Sequence, residues 1–362
     1  MSRTTKLCTL IACSLLASMS LVTTASAGGA GDGDGDGDQG RTHVVHPGDS
    51  IQAAIDSAKP GDTVLVTAGT YHEGVLIQTN RLTLRAKGHV RLKPSAGAPG
   101  PCDFQGETIG ICVLPADVNF DTGAYTHRVR DVKIKGFRVS GFVDGVFGFG
   151  TRDFRVSDVR AANNAGYGIA RFDGVGGSIT DSATSGSGEA GIYVGDSPHA
   201  DAVVKDNRTW NNGFGIFVRH THDVTVRDNR VRRNCIGIFL LDDGQPEGSG
   251  DNSVVDNSVR RDNKFCPASD EGPAISGGGI VLFGSVRNRI VDNSVTNHHK
   301  PGTVASGGIV LLEGSSHNLV RENRLHHNKP ADIVQDAKSV GNKFVDNTCR
   351  TSQPAWICAG HD

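Results

Sequence analysis

The sequence is short of the signals that mark most metal, nucleic-acid and membrane proteins. No pair among its six cysteines beyond residue 27 has the close spacing of a zinc knuckle, so zinc is a poor reading. There is no strongly basic stripe, and the formal net charge is -2. Bulk charge therefore gives nucleic acid nothing to hold, local patches apart. No apolar run is both long and unbroken. The run from Leu7 to Val22 is interrupted by serine and threonine, which argues against a membrane span. Regular leucines around an asparagine, the mark of leucine-rich repeats, are missing, and no long helical stripe appears.

What is present begins with an export leader. Arg3 and Lys6 form a basic end, the apolar run follows, and Ala25-Ser26-Ala27 is a small-residue cleavage site, so residues 1–27 read as a secretory signal peptide. Leu10-Ile11-Ala12-Cys13 is the competing lipoprotein box, although the apolar run continues past it. Residues 28–41 contain GGAGDGDGDGDQG, a glycine–aspartate linker that cannot bury enough to fold. Asp32, Asp34, Asp36 and Asp38 could attract calcium, but their spacing is not that of an EF-hand loop. Loss of Arg3 and Lys6 takes the net charge from -2 to -4. The mature chain is expected to be extracellular and monomeric. Its six cysteines, Cys102, Cys112, Cys235, Cys266, Cys349 and Cys358, are an even number that suits an oxidising compartment. Pairing each with its neighbour in sequence is the simplest arrangement.

Residues 42–362 repeat. A V-x-D-N element recurs, ending at Asn207, Asn229, Asn257, Asn293, Asn323 and Asn347, with weaker copies at Val159 and Ser182. An apolar strand opened by Gly-Ile follows most copies, and the Gly-Ile steps are 23, 24, 22, 42, 29 and 24 residues. A period in the low twenties, made of short β-rich pieces, predicts a solenoid whose coils stack about 4.8 Å apart. The expected fold is all-β: a single-stranded right-handed parallel β-helix, with insertions near 242–276 and 298–306. Isoleucines and valines should form interior ladders, and the repeated asparagines should bond from coil to coil, because a buried amide without partners is costly. The aspartates before them should face water. Ile51, Ala54, Ile55 and Ala58 share one face of a short helix that would cap the open amino-terminal end. A loop pinned by Cys349 and Cys358 should close the other end, with Trp356 over the last coil.

The opening GDSIQAAIDSAKPGDTVLVTAGTY and the V-x-D-N/G-I series resemble the secreted right-handed parallel β-helix (pectin lyase-like) superfamily, over roughly Thr42 to Asn347. That resemblance implies the hand of the coil and activity on acidic or neutral polysaccharides. Mannuronan C5-epimerases carry Y-G-[IV]-D-P-H-D on such a strand. Here Tyr167, Gly168, Ile169 and Asp173 match, while Ala170 and Phe172 stand where the reacting aspartate and histidine would be, and Arg171 replaces the proline.

Strand alternation turns the Gly-Ile isoleucines inward and their neighbours outward. Tyr193, Phe217 and Phe239 then form an outward column, a surface for stacking sugar rings, with Arg171 as a further substrate contact; the competing account is that the insertions cover it. Uronate chemistry at C5 needs the carboxylate neutralised, by arginine or by calcium, and a base for the proton. Arg219, His220 and Asp242 are the candidate catalytic trio: guanidinium for the carboxylate, imidazole as base, aspartate to orient it or hold a cation. Adjacent strand residues face opposite ways, so Arg219 and His220 share a site only if the strand ends between them. Three functions stay open: a polysaccharide lyase or C5-epimerase on a uronate polymer, a non-catalytic β-helix scaffold of the cell surface, and a glycoside hydrolase using Asp196 and Asp242 as its two carboxyls. His298, His299, His326 and His327 read as a surface cluster.

Overall fold

The computed structural model describes residues 40–359 apart from 98–99, 104–106, 120–121, 270–271 and 300–302. The leader 1–27, most of the linker and its aspartates Asp32, Asp34, Asp36 and Asp38 lie outside the described residues.

Each full coil carries three strands, as Ala202–Lys205, Arg208–Trp210 and Phe214–Thr221 show. The first two kinds stack into one 20-stranded sheet and the third into an 11-stranded sheet. Named strands pair in parallel throughout, which makes the molecule a parallel β-helix. Ile169, Ile192, Ile216, Ile238, Ile280, Ile309 and Ile333 align in register and are fully buried.

The V-x-D-N corners explain their own residues. Asp158, Asp181, Asp206, Asp228, Asp256, Asp292, Glu322 and Asp346 all take left-handed backbone, with φ between 52° and 59°. Aspartate is among the few non-glycine residues that tolerate it. The next residue then turns inward. Asn257 Nδ2 donates to Val226 O (2.9 Å), Val255 O (3.0 Å) and Asn293 Oδ1 (3.0 Å), while its Oδ1 accepts from the backbone N–H (3.0 Å) and Nδ2 (3.0 Å) of Asn229. Two more ladders of the same kind line the other corners. One runs through Asn212, Asn234, Asp262, His298 and Asn328, the other through Asn252, Asn288, Asn318 and Asn342. His298 is thus a rung in the interior and not part of a surface cluster.

The helix Ile51–Ser57 (α1) buries Ile51 and Ile55 over the first coil. Ser50 Oγ accepts from Ala53 N at 3.2 Å, and Glu73 accepts from Ile51 N and Gln52 N at 2.8 and 3.2 Å, so the amide ends of the helix are satisfied. At the far end Ile357, not Trp356, is buried; Trp356 is 61% exposed and meets Phe344 edge-on. The three disulfides are Cys102–Cys112, Cys235–Cys266 and Cys349–Cys358.

Residues 242–276 are not one covering loop. Ser253–Val255 and Ser258–Arg260 inside that span are ordinary rungs of the large sheet. The extra length divides between 242–250, at the corner after the eleven-stranded sheet, and the stretch after Arg260 that Cys235–Cys266 ties down.

Truncating one ladder amide should cost far more than truncating its charged neighbour. Asn257→Ala removes the acceptor of the Asn229 backbone N–H, one of the two acceptors of its amide and the side-chain donor to Val226 O, and should destabilise by about 2–4 kcal/mol, whereas the exposed Asp256→Ala should stay within about 1 kcal/mol. Equal midpoint shifts in chemical denaturation would contradict the ladder's role.

Candidate active site

The site lies where the strands of the eleven-stranded sheet end. Gly150, Asp173, Asp196, His220, Gly284 and Glu313 follow the outward residue on six of these strands and all have positive φ, from 42° to 66°. His220, at φ 44°, therefore breaks the alternation, although the strand Phe214–Thr221 continues past it. The strand does not end between Arg219 and His220, as alternation alone would require; the left-handed step within it brings the two to one edge instead.

His220 is 1% exposed and lies between two carboxylates. Nδ1 is 2.9 Å from Asp196 Oδ1, and Nε2 bonds Asp243 Oδ1. Arg219 Nη2 donates to the other oxygen of Asp243 at 3.3 Å, and Tyr193 Oη donates to Asp196 Oδ2 at 2.6 Å. A continuous chain of hydrogen bonds thus runs Tyr193–Asp196–His220–Asp243–Arg219. Desolvation pulls the imidazole pKa down, but the bonds to Asp196 and Asp243 outweigh it and raise it from 6.5 to about 9. At neutral pH the ring is an imidazolium with both nitrogens donating. Asp243 is held below the usual carboxylate range, chiefly by its bond from His220.

Asp242 is not the carboxylate that meets His220. Its oxygens accept from Gly244 N (2.9 Å) and Ser249 N (3.2 Å), closing the corner of its own loop. The Asp-Asp-Gly order carried that signal, because an aspartate two residues before glycine favours bonding the turn's own amide. Arg171 also departs from expectation. The alternation that turns Ile169 inward turns Arg171 inward, and it is 2% exposed, inside the coil. Its register neighbour Gly148 has no side chain, and a Cβ at Gly174 would lie 2.1 Å from Arg171 Nε. Arg171 Nη2 donates to Ala200 O at 2.9 Å, and burial draws its pKa down to about 10.

The aromatic column is packed on itself. Phe172 stacks on Tyr193 at 4.4 Å between ring centroids, Phe217 on Phe239 at 5.1 Å, and Tyr193 meets Phe217 edge-on at 5.4 Å. Tyr193 is fully buried and leans across Gly195, where a Cβ would lie 2.6 Å from its hydroxyl. Higher up, Ile275 and Ala305 pack with Val281 and Val310. Phe172, Arg219, Phe239 and Leu241 keep partial exposure between these covers. Asp173 adds a flank that sequence spacing did not connect. Tyr125 Oη donates to its Oδ2 at 2.5 Å and Arg128 Nη2 to its Oδ1 at 2.8 Å, both from a segment forty-five or more residues earlier. Among the described residues no three His, Cys, Asp or Glu side chains converge as metal ligands, so a calcium role finds no grouped donor set there.

Residues 144–325 match the family described as "Right handed beta helix region". No curated protein sequence matches the chain. Among solved structures, the chain resembles ORF18 of Geobacillus virus E2, with TM-score 0.57 and 13% identity, over 83% of this chain and 56% of the viral one. It resembles the A-module of the Azotobacter vinelandii mannuronan C-5 epimerase AlgE4, with TM-score 0.53 and 16% identity, over 82% and 91% of the two chains. It also resembles the DFA-IIIase of Arthrobacter chlorophenolicus A6, with TM-score 0.54 and 14% identity, over 87% and 96%. These likenesses establish the fold.

The imidazolium has a pH signature. A folded-state pKa raised from 6.5 to about 9 gives stability that is complete below pH 6.5 and lost as pH rises through 9. The loss is on the order of 3 kcal/mol. His220→Gln should flatten that alkaline decline in denaturation experiments. An unchanged decline would contradict the charged ring.

Proposed function

The chain belongs to the right-handed β-helix family, and from that premise we propose that it is a secreted protein acting on a uronate-containing polysaccharide, as a lyase or C5-epimerase. The observation that carries the reading is the network on the sheet edge, in which Arg219, Asp196 and Asp243 keep 24%, 20% and 38% of their side chains exposed around a buried imidazolium. Arg219 can pair with a substrate carboxylate through a forked, charge-assisted contact. Neutralising that carboxylate makes the neighbouring C5 proton easier to remove. An imidazolium cannot take it, so the role of base passes from His220 to Asp196. His220 fixes Asp196 and Asp243 on either side of itself and supplies positive charge, and Tyr193 holds the second oxygen of Asp196. Elimination of the C4 glycosidic oxygen, which leaves with the proton that Asp196 has taken, then gives a lyase; delivery of a proton from solvent to the opposite face of C5, with Asp196 keeping the first, gives an epimerase.

The hydrolase reading has less support. Glycoside hydrolysis needs one carboxyl kept protonated beside one ionised. Asp242 is spent on its loop, Asp243 is pushed toward the ionised form, and the ring of His220 fills the space between Asp196 and Asp243. Asp144 does have a raised pKa, about 7, from burial, but it is buried at the start of its strand, away from this edge. The scaffold reading is favoured by one observation, the self-stacked aromatic column with Tyr193 fully buried. The assigned sugar contacts are therefore the part-exposed Phe172 and Phe239, and no longer Tyr193 or Phe217. Export fits the three disulfides, and no helix among the described residues is long and apolar enough to cross a membrane.

Incubation with alginate, pectate, hyaluronan and chondroitin tests the proposal, with ultraviolet absorbance of the unsaturated product reporting a lyase and proton NMR of C5 reporting an epimerase. Arg219→Ala should lower kcat/KM on the polymer turned over by about a hundredfold or more while keeping stability within about 1 kcal/mol. Unchanged rates in the folded variant would remove Arg219 from the site, and no turnover of any uronate would leave the scaffold reading in its place.

A further inference from the structure

The large sheet carries a basic column that chain order conceals. Register aligns Arg91, Arg138, Arg160, Ala183, Arg208, Arg230, Ser258, Ser294 and Arg324 on successive coils, an arginine at six of nine rungs. Two positions along, Trp210, Arg232 and Arg260 align in a second column. Neither column contains an acidic residue. Arg233 and Arg261 extend the patch at the next corner and are exposed. The corrected picture is a basic stripe after all, assembled by stacking.

The arginines of the groove are unpaired. Of the eight acids in the corner ladder beside them, Asp206, Asp228 and Glu322 are paired from the other side, with Lys205 at 3.1 Å, Arg227 at 2.8 Å and Arg321 at 3.3 Å. None of Arg208, Arg230, Arg232 and Arg260 has an ion pair or side-chain hydrogen bond among the described residues, and all four are exposed. They line a shallow groove with Trp210 and Ser258. Folding thus leaves four like charges close together, Arg208 beside Arg230 and Arg232 beside Arg260, each pair one coil apart at about 4.8 Å, and an anion lying along them would relieve their repulsion.

We infer that this groove binds an anionic polysaccharide, a polyuronate chain lying along the solenoid axis, separately from the site on the eleven-stranded sheet. The rungs repeat linearly, which suits a polymer with one carboxylate per sugar better than a single small anion. Guanidinium groups grip carboxylates with two parallel hydrogen bonds. The half-buried Trp210 offers one flat apolar face against which a sugar ring can lie. Single-stranded nucleic acid binding takes a row of aromatic platforms, and these columns hold one. A protein partner would need an apolar anchor pocket, which a groove lined chiefly by arginine and serine around the single Trp210 does not form. The groove extends the uronate reading to a second face and does not depend on catalysis at the first.

The test uses the full chain carrying Arg219→Ala, so that the carboxylate contact on the other sheet is removed, and polygalacturonate of defined length as the probe. Calorimetry should detect binding that weakens with added salt. Replacing Arg208, Arg230, Arg232 and Arg260 together by serine, the residue that Ser258 and Ser294 already place in this column, should lower affinity at least tenfold and flatten the salt dependence. Affinity unchanged by the four substitutions overturns the proposal, as does arginine-dependent binding of oligothymidylate that is tighter than that of polygalacturonate at the same salt. A protein that turns over no uronate yet shows this arginine-dependent binding upholds the groove while refuting the enzymatic reading.

Discussion

A left-handed residue followed by an inward side chain turns this chain at corner after corner, and the rest of the molecule follows from it. The backbone at Asp206, Asp228 and Asp256 takes positive φ, so the next residue, an asparagine, points into the coil. There its amide has no water and must find protein partners. Stacking an identical corner above and below supplies them, which ties each coil to its neighbours in fixed register. Register in turn decides which residues become columns: isoleucines inside, aromatics on one face, arginines on another.

The same backbone step also makes the candidate site. Along an ordinary strand Arg219 and His220 would face opposite ways. The positive φ at His220 turns the imidazole to the edge, where Asp196 from the coil before and Asp243 from the coil after close on it. Burial and two carboxylates together convert a residue that usually titrates near neutrality into a fixed cation. Chemistry that needs a base must then look to the carboxylates, and the histidine's contribution becomes position and charge.

The repeats made the frame legible. Gly-Ile spacing located the inward ladder, and V-x-D-N located the buried amides, because period and residue type both act locally. The site was legible only in outline. Arg219 and His220 could be singled out, but whether Asp242 or Asp243 reaches the ring depends on which of the two closes the loop through Gly244 and Ser249. Arg171 was open to a correct reading by alternation alone, since Ile169 and Arg171 share a face. Three features were beyond such reasoning. Tyr125 and Arg128 reach Asp173 across a long separation, His298 continues a ladder whose other members are asparagine and aspartate, and the arginine column is spread over more than two hundred residues of chain. Each exists only once the coils are stacked in register.

The central claim is that the corner backbone holds His220 as a buried cation between two carboxylates. Nitrogen NMR of histidine-labelled protein measures this directly, with His220→Gln identifying the resonance. The account predicts that both ring nitrogens carry protons at neutral pH and that the ring loses one with a pKa of about 9. A His220 ring that is a neutral tautomer at neutral pH, titrating at or below its ordinary 6.5, would contradict it.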